Sequence, residues 1–370
     1  MSVQENGMHM KMKQGNCRTP LLSVLICTYN RAELFGELLK SLKEQTLPLG
    51  DFELIIVNDG SSDGTPEVAQ QFESMLPMKY CYQKNAGLAA ARNHGLYHAS
   101  APIVLFLDDD DLASPGLLEE HVATHCKYPA ENYAVLGFTG LTDDVSRKPL
   151  MHFVTRVGYY LSCYPLIKDG DILDYTYFWG GRTSCKTGLL KKYGIFNPLF
   201  TFGCEDIELG FRLSKQGLKV VYNARAESTM IRDIPFESFC NRLIRQGRSQ
   251  YVFSRVHPDQ EIQQWTEMEV ARVEWPTIAP KYEAIVSAAR VLDAMANQRL
   301  ELGLELDPTF ISLLHQSYWD AFKASKLRGI ADVANPTFWE RDICEQPLLR
   351  SNGVVDMAET ADVPAMRKII

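Results

Sequence analysis

The residues of this chain with the clearest chemical potential are clustered carboxylates. Four consecutive aspartates occupy positions 108–111, and a second acidic pair, Glu205 and Asp206, follows much later in the chain. Clustered carboxylates raise one another's pKa unless a cation lies among them. Oxygen-only ligands on a short loop suit Mg²⁺ or Mn²⁺, with phosphate oxygens completing the coordination shell. The aspartate run therefore predicts a metal–phosphate site, with a plain acidic turn as the alternative.

Other polar segments could also contact a ligand. Positions 58–64 read Asn-Asp-Gly-Ser-Ser-Asp-Gly, which suits either a turn with a helix cap or recognition of a base by Asp59. Positions 84–93 open an Ala-rich helix whose first amides could face an anion, although an ordinary capped helix is the simpler interpretation. The Glu205 and Asp206 pair either complements a helix dipole or supplies a general base.

Strands and helices must alternate to position these segments. Continuous apolar, β-branched runs predict buried strands at 22–28, 52–57 and 103–107. Helical periodicity between the strands predicts an α/β fold with a mostly parallel, Rossmann-like central sheet and flanking helices. Ligands of such sheets bind beyond the carboxyl ends of the strands. The polar segments lie at those ends, so we expect one site there.

The pattern changes at about residue 235, where long amphipathic helices begin. We predict them at about 236–256, 261–273, 280–302 and 308–327. The predicted organisation is a mobile segment at 1–20, an α/β domain at 21–235, a helical domain at 236–330 and a partly ordered tail at 331–370.

Composition excludes several classes of protein. The chain has 38 basic and 46 acidic residues and a net charge of -8, which argues against nucleic-acid binding. No apolar run approaches the ~20 residues that span a bilayer, and the first residues do not resemble a secretory signal. The nine cysteines are scattered, which favours reduced thiols. We therefore expect a cytoplasmic protein, with the inner face of a membrane as an alternative location.

Five segments together resemble the inverting family 2 glycosyltransferases, whose nucleotide-binding fold is called GT-A. They are Ser-Val-Leu-Ile-Cys-Thr-Tyr-Asn-Arg at 23–31, Ile-Val-Asn-Asp-Gly-Ser-Ser-Asp-Gly-Thr at 56–65, Asn-Ala-Gly-Leu-Ala-Ala-Ala-Arg-Asn at 85–93, Phe-Leu-Asp-Asp-Asp-Asp at 106–111 and Glu-Asp-Ile-Glu-Leu-Gly-Phe-Arg-Leu at 205–213. The resemblance covers about residues 21–225. Each motif is weak alone, but their order and spacing make the resemblance specific.

The resemblance implies transfer of a sugar from a nucleotide-sugar donor, most often a UDP-sugar, to an acceptor hydroxyl with Mn²⁺ or Mg²⁺. Asp59 would pair with the base, and Asp206, beside Glu205, would be the general base. Asp108 and Asp110 match the Asp-x-Asp motif, which contacts ribose and metal. The residues implied in nucleotide-sugar binding are Thr28, Tyr29, Asn30, Arg31, Asp59, Asn85, Arg92, Asp108 and Asp109.

The acceptor is less constrained than the donor, and a glycan, lipid, protein or small molecule would each fit. Trp179 beside Gly180 suits stacking on a sugar, with a buried core aromatic as an equal alternative. Arg245, on the basic face of the 236–256 helix, either is solvated or meets the pyrophosphate or an anionic acceptor. The helical region would shape the acceptor site, mediate self-association or dock peripherally on a membrane.

One departure from the family pattern keeps an alternative function open. Family members often carry a His after the strand that follows the acidic-pair helix, where this chain has Thr229 or Met230. That departure leaves room for a catalytically silent nucleotide-sugar-binding module. A nucleotidyltransferase, which also uses strand-end aspartates and a metal, is a separate alternative. His121 and His125 are four residues apart, but without the Glu of the H-E-x-x-H motif or a third ligand they favour a surface or packing role over zinc binding.

Overall fold

The computed structural model describes residues 19–336 and residue 338. Most of the predicted N-terminal segment, 1–20, and of the predicted tail, 331–370, lies outside these residues.

The strands are β1 (Leu22–Thr28), β2 (Phe52–Asn58), β3 (Met78–Tyr82), β4 (Ile103–Asp108), β5 (Asp111–Ala113), β6 (Tyr133–Leu141), β7 (Ile172–Leu173), β8 (Thr183–Lys186) and β9 (Lys219–Met230). The helices are α1 (Ala32–Leu42), α2 (Thr65–Phe72), α3 (Leu88–His98), α4 (Leu117–Lys127), α5 (Asp143–Ser146), α6 (Pro149–His152), α7 (Thr187–Tyr193), α8 (Glu205–Ser214), α9 (Phe236–Val256), α10 (Gln260–Trp265), α11 (Met268–Ile278), α12 (Tyr282–Glu301) and α13 (Pro308–Val333).

All nine strands form one sheet, in the order β3-β2-β1-β4-β8-β6-β9-β5, with β7 paired to β9. The first four are parallel, as their alternation with helices predicts. Strand β8 runs antiparallel to both β4 and β6, while β6 and β9 are parallel and carry a bulge after Gly137. The predicted α/β class with a parallel sheet and flanking helices is confirmed. The antiparallel insertion of β8 is a feature that periodicity did not reveal.

Strand β1 is buried along nearly its whole length because both faces of the sheet are covered. Val24 and Ile26 pack in the same cluster as Phe35 of α1, on one side. Leu25 packs with Phe106 in a second cluster, on the other side. Strands buried on both faces read as continuous apolar runs rather than alternating ones, which is why the central strands could be located from sequence.

The helical C-terminal region is confirmed, with α9 spanning the predicted residues 236–256. Its core joins Phe239 of α9 to Tyr318 and Phe322 of α13, together with Phe153 of the α/β part. The single helix predicted at 261–273 is instead two, α10 and α11, because Glu267 between them adopts a left-handed conformation, with φ of 55°. Among the described residues, no helix has the length and apolar character to cross a membrane.

Candidate active site

The parallel strands bring the predicted polar segments to one edge of the sheet. In the register of β1, Cys27 lies opposite Val57 of β2 and Asp108 of β4. A cleft of about 230 Å³ opens beside this edge. Its lining includes the predicted residues Arg31, Arg92, Asp108, Asp110, Trp179, Gly180, Glu205 and Asp206. The predicted residues outside the lining are Thr28, Tyr29, Asn30, Asp59, Asn85, Asp109 and Arg245.

Asp108 lies between two buried arginines. One of its oxygens is 3.7 Å from Arg92 Nη2 and the other is 3.7 Å from Arg182 Nη2. Burial raises the pKa of Asp108, but the arginines outweigh it, and the pKa falls below its ordinary value. The backbone of Gly181 passes so close that a Cβ there would overlap the Asp108 carboxylate. Only glycine fits at this position of the turn.

The three remaining aspartates have different surroundings. Arg31 Nη1 lies 2.6 Å from Asp109 Oδ1 and 3.4 Å from Asp110 Oδ2. Arg232 Nε lies 2.5 Å from the same oxygen of Asp110. Asp111 is fully buried and accepts hydrogen bonds from the hydroxyls of Thr139 and Ser228. The cleft therefore receives Asp108 and Asp110, while Asp109 and Asp111 point elsewhere.

Burial raises the pKa of both carboxyls that do not line the cleft. The pKa of Asp109 rises to about 6 because its desolvation outweighs the charge of Arg31. The pKa of Asp111 rises to about 7, again by desolvation, against the attraction of Arg182. These two aspartates contact neighbouring side chains, whereas Asp108 presents a charged carboxylate.

The Glu205 and Asp206 pair begins α8, directly after Cys204, whose left-handed backbone has φ of 64°. Glu205 accepts a hydrogen bond of 2.8 Å from Arg92 Nη1. Burial and then the charge of Asp206 raise the pKa of Glu205 to about 7. Asp206 is half-buried and accepts hydrogen bonds of 2.8 Å from the amides of Gly180 and Ile207. Arg92 thus links the second acidic segment to Asp108 of the first.

Asp59 fastens the loop before α3. Its Oδ1 accepts hydrogen bonds from Gln83 Nε2 at 2.7 Å and from the amide of Ala86 at 2.9 Å. Its Oδ2 accepts one from the amide of Gly87 at 3.0 Å. Asn30 holds the neighbouring loop, since its Oδ1 accepts a hydrogen bond from the amide of Ser62. Recognition of a base by Asp59 stays a prediction.

The remaining nucleotide-site predictions fall on side chains of very different exposure. Thr28 is buried at the end of β1, whereas Tyr29 and Asn85 are exposed. The Trp179 side chain lines the cleft, and its Nε1 donates a hydrogen bond of 2.8 Å to the carbonyl of Thr176. This bond orients the indole, and a sugar-stacking role for it stays a prediction.

Helix α9 directs three arginines, among them the predicted Arg245, to three places. Arg242 lines the cleft, where burial and then the charge of Arg232 lower its pKa. The Arg245 guanidinium lies 3.8 Å from the centre of the Phe202 ring. Arg248 Nη2 lies 2.7 Å from Asp332 Oδ2 of α13. Among the residues that the structure describes, Arg242 has no carboxylate within ion-pair distance.

Sequence reasoning missed two arginines of the cleft, Arg182 and Arg232. Arg182 precedes β8 and Arg232 follows β9, so both reach the cleft through the part of the sheet that periodicity did not resolve. Arg182 could have been found from the sequence, because it ends the Gly-rich turn that contains Trp179. The predicted packing role of His121 and His125 agrees with their burial, since both rings contact Ser184 Oγ.

Known proteins resemble this chain in sequence and in fold. Residues 23–192 match the family described as Glycosyl transferase family 2. This match confirms the resemblance that the motifs indicate, over residues 23–192.

Two relatives illustrate the range of this similarity. The chain is 35% identical over 234 residues to validoxylamine A glucosyltransferase of Streptomyces hygroscopicus subsp. jinggangensis, covering 56% of this chain and 54% of that protein. It is 28% identical over 225 residues to chondroitin synthase of Escherichia coli, covering 53% of this chain and 32% of that protein. The matched region thus spans about half or less of each relative.

Among solved structures, the mannosyltransferase PcManGT from Pyrobaculum calidifontis, in complex with GDP-Man and Mn²⁺, has a TM-score of 0.55 at 22% identity. The match covers 85% of this chain and 88% of that one. This likeness concerns the fold, and it extends over the helical region as well as the α/β part.

Proposed function

We propose that the cleft transfers a sugar from a nucleotide-sugar donor to an acceptor hydroxyl. One observation carries this proposal: Asp108 and Asp110, from the end of β4, share a cleft with Asp206 of α8. The match of residues 23–192 to glycosyltransferase family 2 supports it. Carboxylates at two places in one cleft suit a reaction in which one set binds a metal ion that stabilises a phosphate leaving group and the other carboxylate removes a proton.

The donor's diphosphate would be held by arginines. Arg31, Arg92, Arg182, Arg232 and Arg242 all line the cleft, in a chain whose net charge is -8. Guanidinium groups bind phosphate oxygens through paired, charge-assisted hydrogen bonds. We propose a UDP-sugar as the donor, with Thr28, Tyr29, Asn30, Asp59 and Asn85 on the nucleoside side.

The proposal includes a divalent ion, Mn²⁺ or Mg²⁺, on Asp108 and Asp110. Their chemistry fits, since hard cations prefer carboxylate oxygens and both side chains reach the cleft. When bound, such an ion neutralises charge that gathers on the leaving diphosphate. Instead of the usual His, this chain places Arg232 near Asp110. Metal affinity would therefore rest on the aspartates and the donor's phosphates.

Asp206 would act as the general base. It accepts the acceptor's hydroxyl proton as the oxygen attacks the anomeric carbon, and the bond from that carbon to the diphosphate oxygen breaks. A single in-line displacement inverts the anomeric centre. Glu205 is a poorer candidate because its side chain is buried and Arg92 pairs with one of its oxygens, whereas Asp206 is half-buried. We propose that Glu205 positions Arg92 instead.

The contact between Arg232 and Asp110 favours one second candidate, a catalytically silent nucleotide-sugar-binding module. A guanidinium within 2.5 Å of the second metal-site aspartate supplies a positive charge where the family implies an ion. In that case the cleft would bind a donor without turning it over. The nucleotidyltransferase alternative does not account for Asp206 in the cleft.

Release of nucleoside diphosphate from a donor panel tests the proposal. The full chain would be incubated with UDP-, GDP- and dTDP-sugars and with glycan, lipid, peptide and small-molecule acceptors, including validoxylamine A. We expect release from one class of donor, lost with EDTA and restored by Mn²⁺ or Mg²⁺. NMR of the product would show an inverted anomeric centre. A donor-dependent thermal shift without release indicates the silent module, and pyrophosphate release from a nucleoside triphosphate indicates a nucleotidyltransferase.

A further inference from the structure

Strand β3 and helix α3 bring together three side chains that the proposed transfer does not use. Cys81 lies on β3 and is 8% exposed. His94 and His98 are four residues apart on α3, so they project from one face of the helix. The sulfur of Cys81 and one nitrogen of each imidazole all lie within 4.8 Å of one another. We propose that these residues form a second metal site, selective for Zn²⁺ or a similar ion.

The ligand set defines the class of metal. One thiolate and two imidazoles suit Zn²⁺ and disfavour Mg²⁺ and Mn²⁺, which prefer carboxylates and water. A tetrahedral zinc ion needs its ligand atoms roughly 3.5 Å apart, given bonds of about 2.0 to 2.3 Å. Both histidines are partly exposed, so their side chains have room to close this gap. Three protein ligands leave the fourth position for water.

A hydrogen bond already orients His94 for such a role. Its Nδ1 lies 2.8 Å from Gln83 Oε1, an acceptor, so Nδ1 carries the proton and Nε2 keeps a free lone pair. Metal-binding histidines are commonly fixed in this way by a partner on the other ring nitrogen. Gln83 in turn donates to Asp59 Oδ1 at 2.7 Å. The site is therefore linked through two hydrogen bonds to the loop that Asp59 holds.

Lys79 shows that the His98 nitrogen already attracts a cation. Its Nζ lies 2.9 Å from His98 Nδ1, so the ammonium donates to the lone pair of this nitrogen, which our proposal assigns to the metal. Zinc would displace this ammonium, and Lys79 therefore competes with it. Burial raises the pKa of the Cys81 thiol, while Lys79 opposes the rise. Zinc binding must therefore release the thiol proton to solvent as the sulfur–zinc bond forms.

Titration of the full, untagged, chelator-treated chain with Zn²⁺ tests the site. Isothermal titration calorimetry should give one zinc site that depends on Cys81 and His98, with Cys81→Ser and His98→Gln each weakening it at least ~10-fold. Lys79→Gln, which keeps all three ligands, should tighten it because the competing ammonium is gone. Cys126→Ser, at an exposed cysteine, and Asp110→Asn, at the proposed donor site, are the controls and should leave this zinc affinity unchanged.

Co²⁺ provides a second measurement that does not depend on the affinity of weak carboxylate sites. The native chain should show thiolate-to-cobalt charge-transfer absorption, and Cys81→Ser should remove it. Absence of that absorption in the native chain, or its persistence in Cys81→Ser, would overturn the proposal. So would a Lys79→Gln variant that binds Zn²⁺ no more tightly than the native chain. None of these outcomes depends on whether the chain transfers a sugar.

Discussion

At the scale of single residues, the cleft is organised around arginines that contact carboxylates. Arg92 donates to Glu205 and lies 3.7 Å from Asp108, while Arg31 and Arg232 both reach Asp110. Each of these guanidinium groups has an acidic partner. Arg242 differs, because it lines the cleft without a carboxylate partner among the described residues. A half-buried guanidinium in the cleft that pairs with no carboxylate is a natural contact for a bound anion.

Arg242→Gln should weaken nucleotide binding selectively. Loss of a charge-assisted hydrogen bond costs about 1.5 to 3 kcal/mol, so we expect the Kd for UDP with Mn²⁺ to rise at least ~10-fold. Isothermal titration calorimetry measures this change directly. Arg248→Gln is the matched control, since Arg248 lies on the same helix but pairs with Asp332. Equal affinities in the native chain and Arg242→Gln would contradict an anion-binding role.

Some residues of the site could be predicted from the sequence, but their orientation could not. The acidic run and the acidic pair are conspicuous, so Asp108, Asp110 and Asp206 were all predicted to lie in one site. The sequence could not show which aspartates of the run point into the cleft. That depends on Arg31 and on the hydroxyls of Thr139 and Ser228, which come from distant parts of the chain.

At the scale of elements, α4 is held to β8 by two buried histidines. His121 Nδ1 and His125 Nε2 lie 2.8 and 2.9 Å from Ser184 Oγ. Burial lowers the pKa of both imidazoles to about 3. In the unfolded chain these imidazoles become protonated near pH 6.5, whereas in the folded chain they stay neutral at that pH. The stabilisation is thus complete above pH 6.5 and is lost progressively as pH falls towards 3.

His125→Gln should reduce the acid sensitivity of the fold even if it lowers stability at pH 7. One such histidine accounts for a loss of about 2 kcal/mol in the free energy of unfolding between pH 7 and pH 5. We expect the variant's loss over that interval to be smaller by this amount in urea titrations. His152→Gln, at an exposed histidine, should keep the native pH dependence. An unchanged loss in His125→Gln would show that His125 is not buried in its neutral form.

Strands could be predicted where both faces of the sheet are covered, and less completely elsewhere in the sheet. Strands β1, β2 and β4 are mostly apolar, and their predicted bounds agree with the structure to within one residue. Strand β9 extends over 12 residues, but its second half contains Arg225 and Glu227 and does not read as a strand. Its pairing partners β5, β6 and β7 are distant in sequence. Arg182 and Arg232 are positioned by this part of the sheet, so their place in the cleft could not be predicted from the sequence.

At the scale of the whole molecule, the helical region contributes to the cleft through α9. The same helix packs against α13 at very close range, since a Cβ on Gly329 would overlap the carbonyl oxygen of Ile244. Small residues at a helix crossing let the two backbones approach each other. The position of Arg242 in the cleft therefore depends on a packed helix pair outside the family 2 match.

Gly329→Ala should separate α9 from α13 and lower stability. Inserting a methyl group into such a contact costs about 1 to 3 kcal/mol in the free energy of unfolding, which urea titration measures. Gly50→Ala is the matched control, because nothing lies within 4 Å of a Cβ at that position. A variant as stable as the native chain would mean that the helices do not cross at this distance.

The role of Asp206 in a cleft that binds a nucleotide sugar is the central claim. Its most direct test is the Asp206→Asn variant, assayed for nucleoside diphosphate release and, in the same preparation, for donor affinity. Because a general base contributes about 10²- to 10⁴-fold, we predict turnover at least ~100-fold lower with donor Kd within about threefold of native. Asp144→Asn, at an exposed carboxylate, should retain native turnover. Undiminished release in Asp206→Asn would contradict the account.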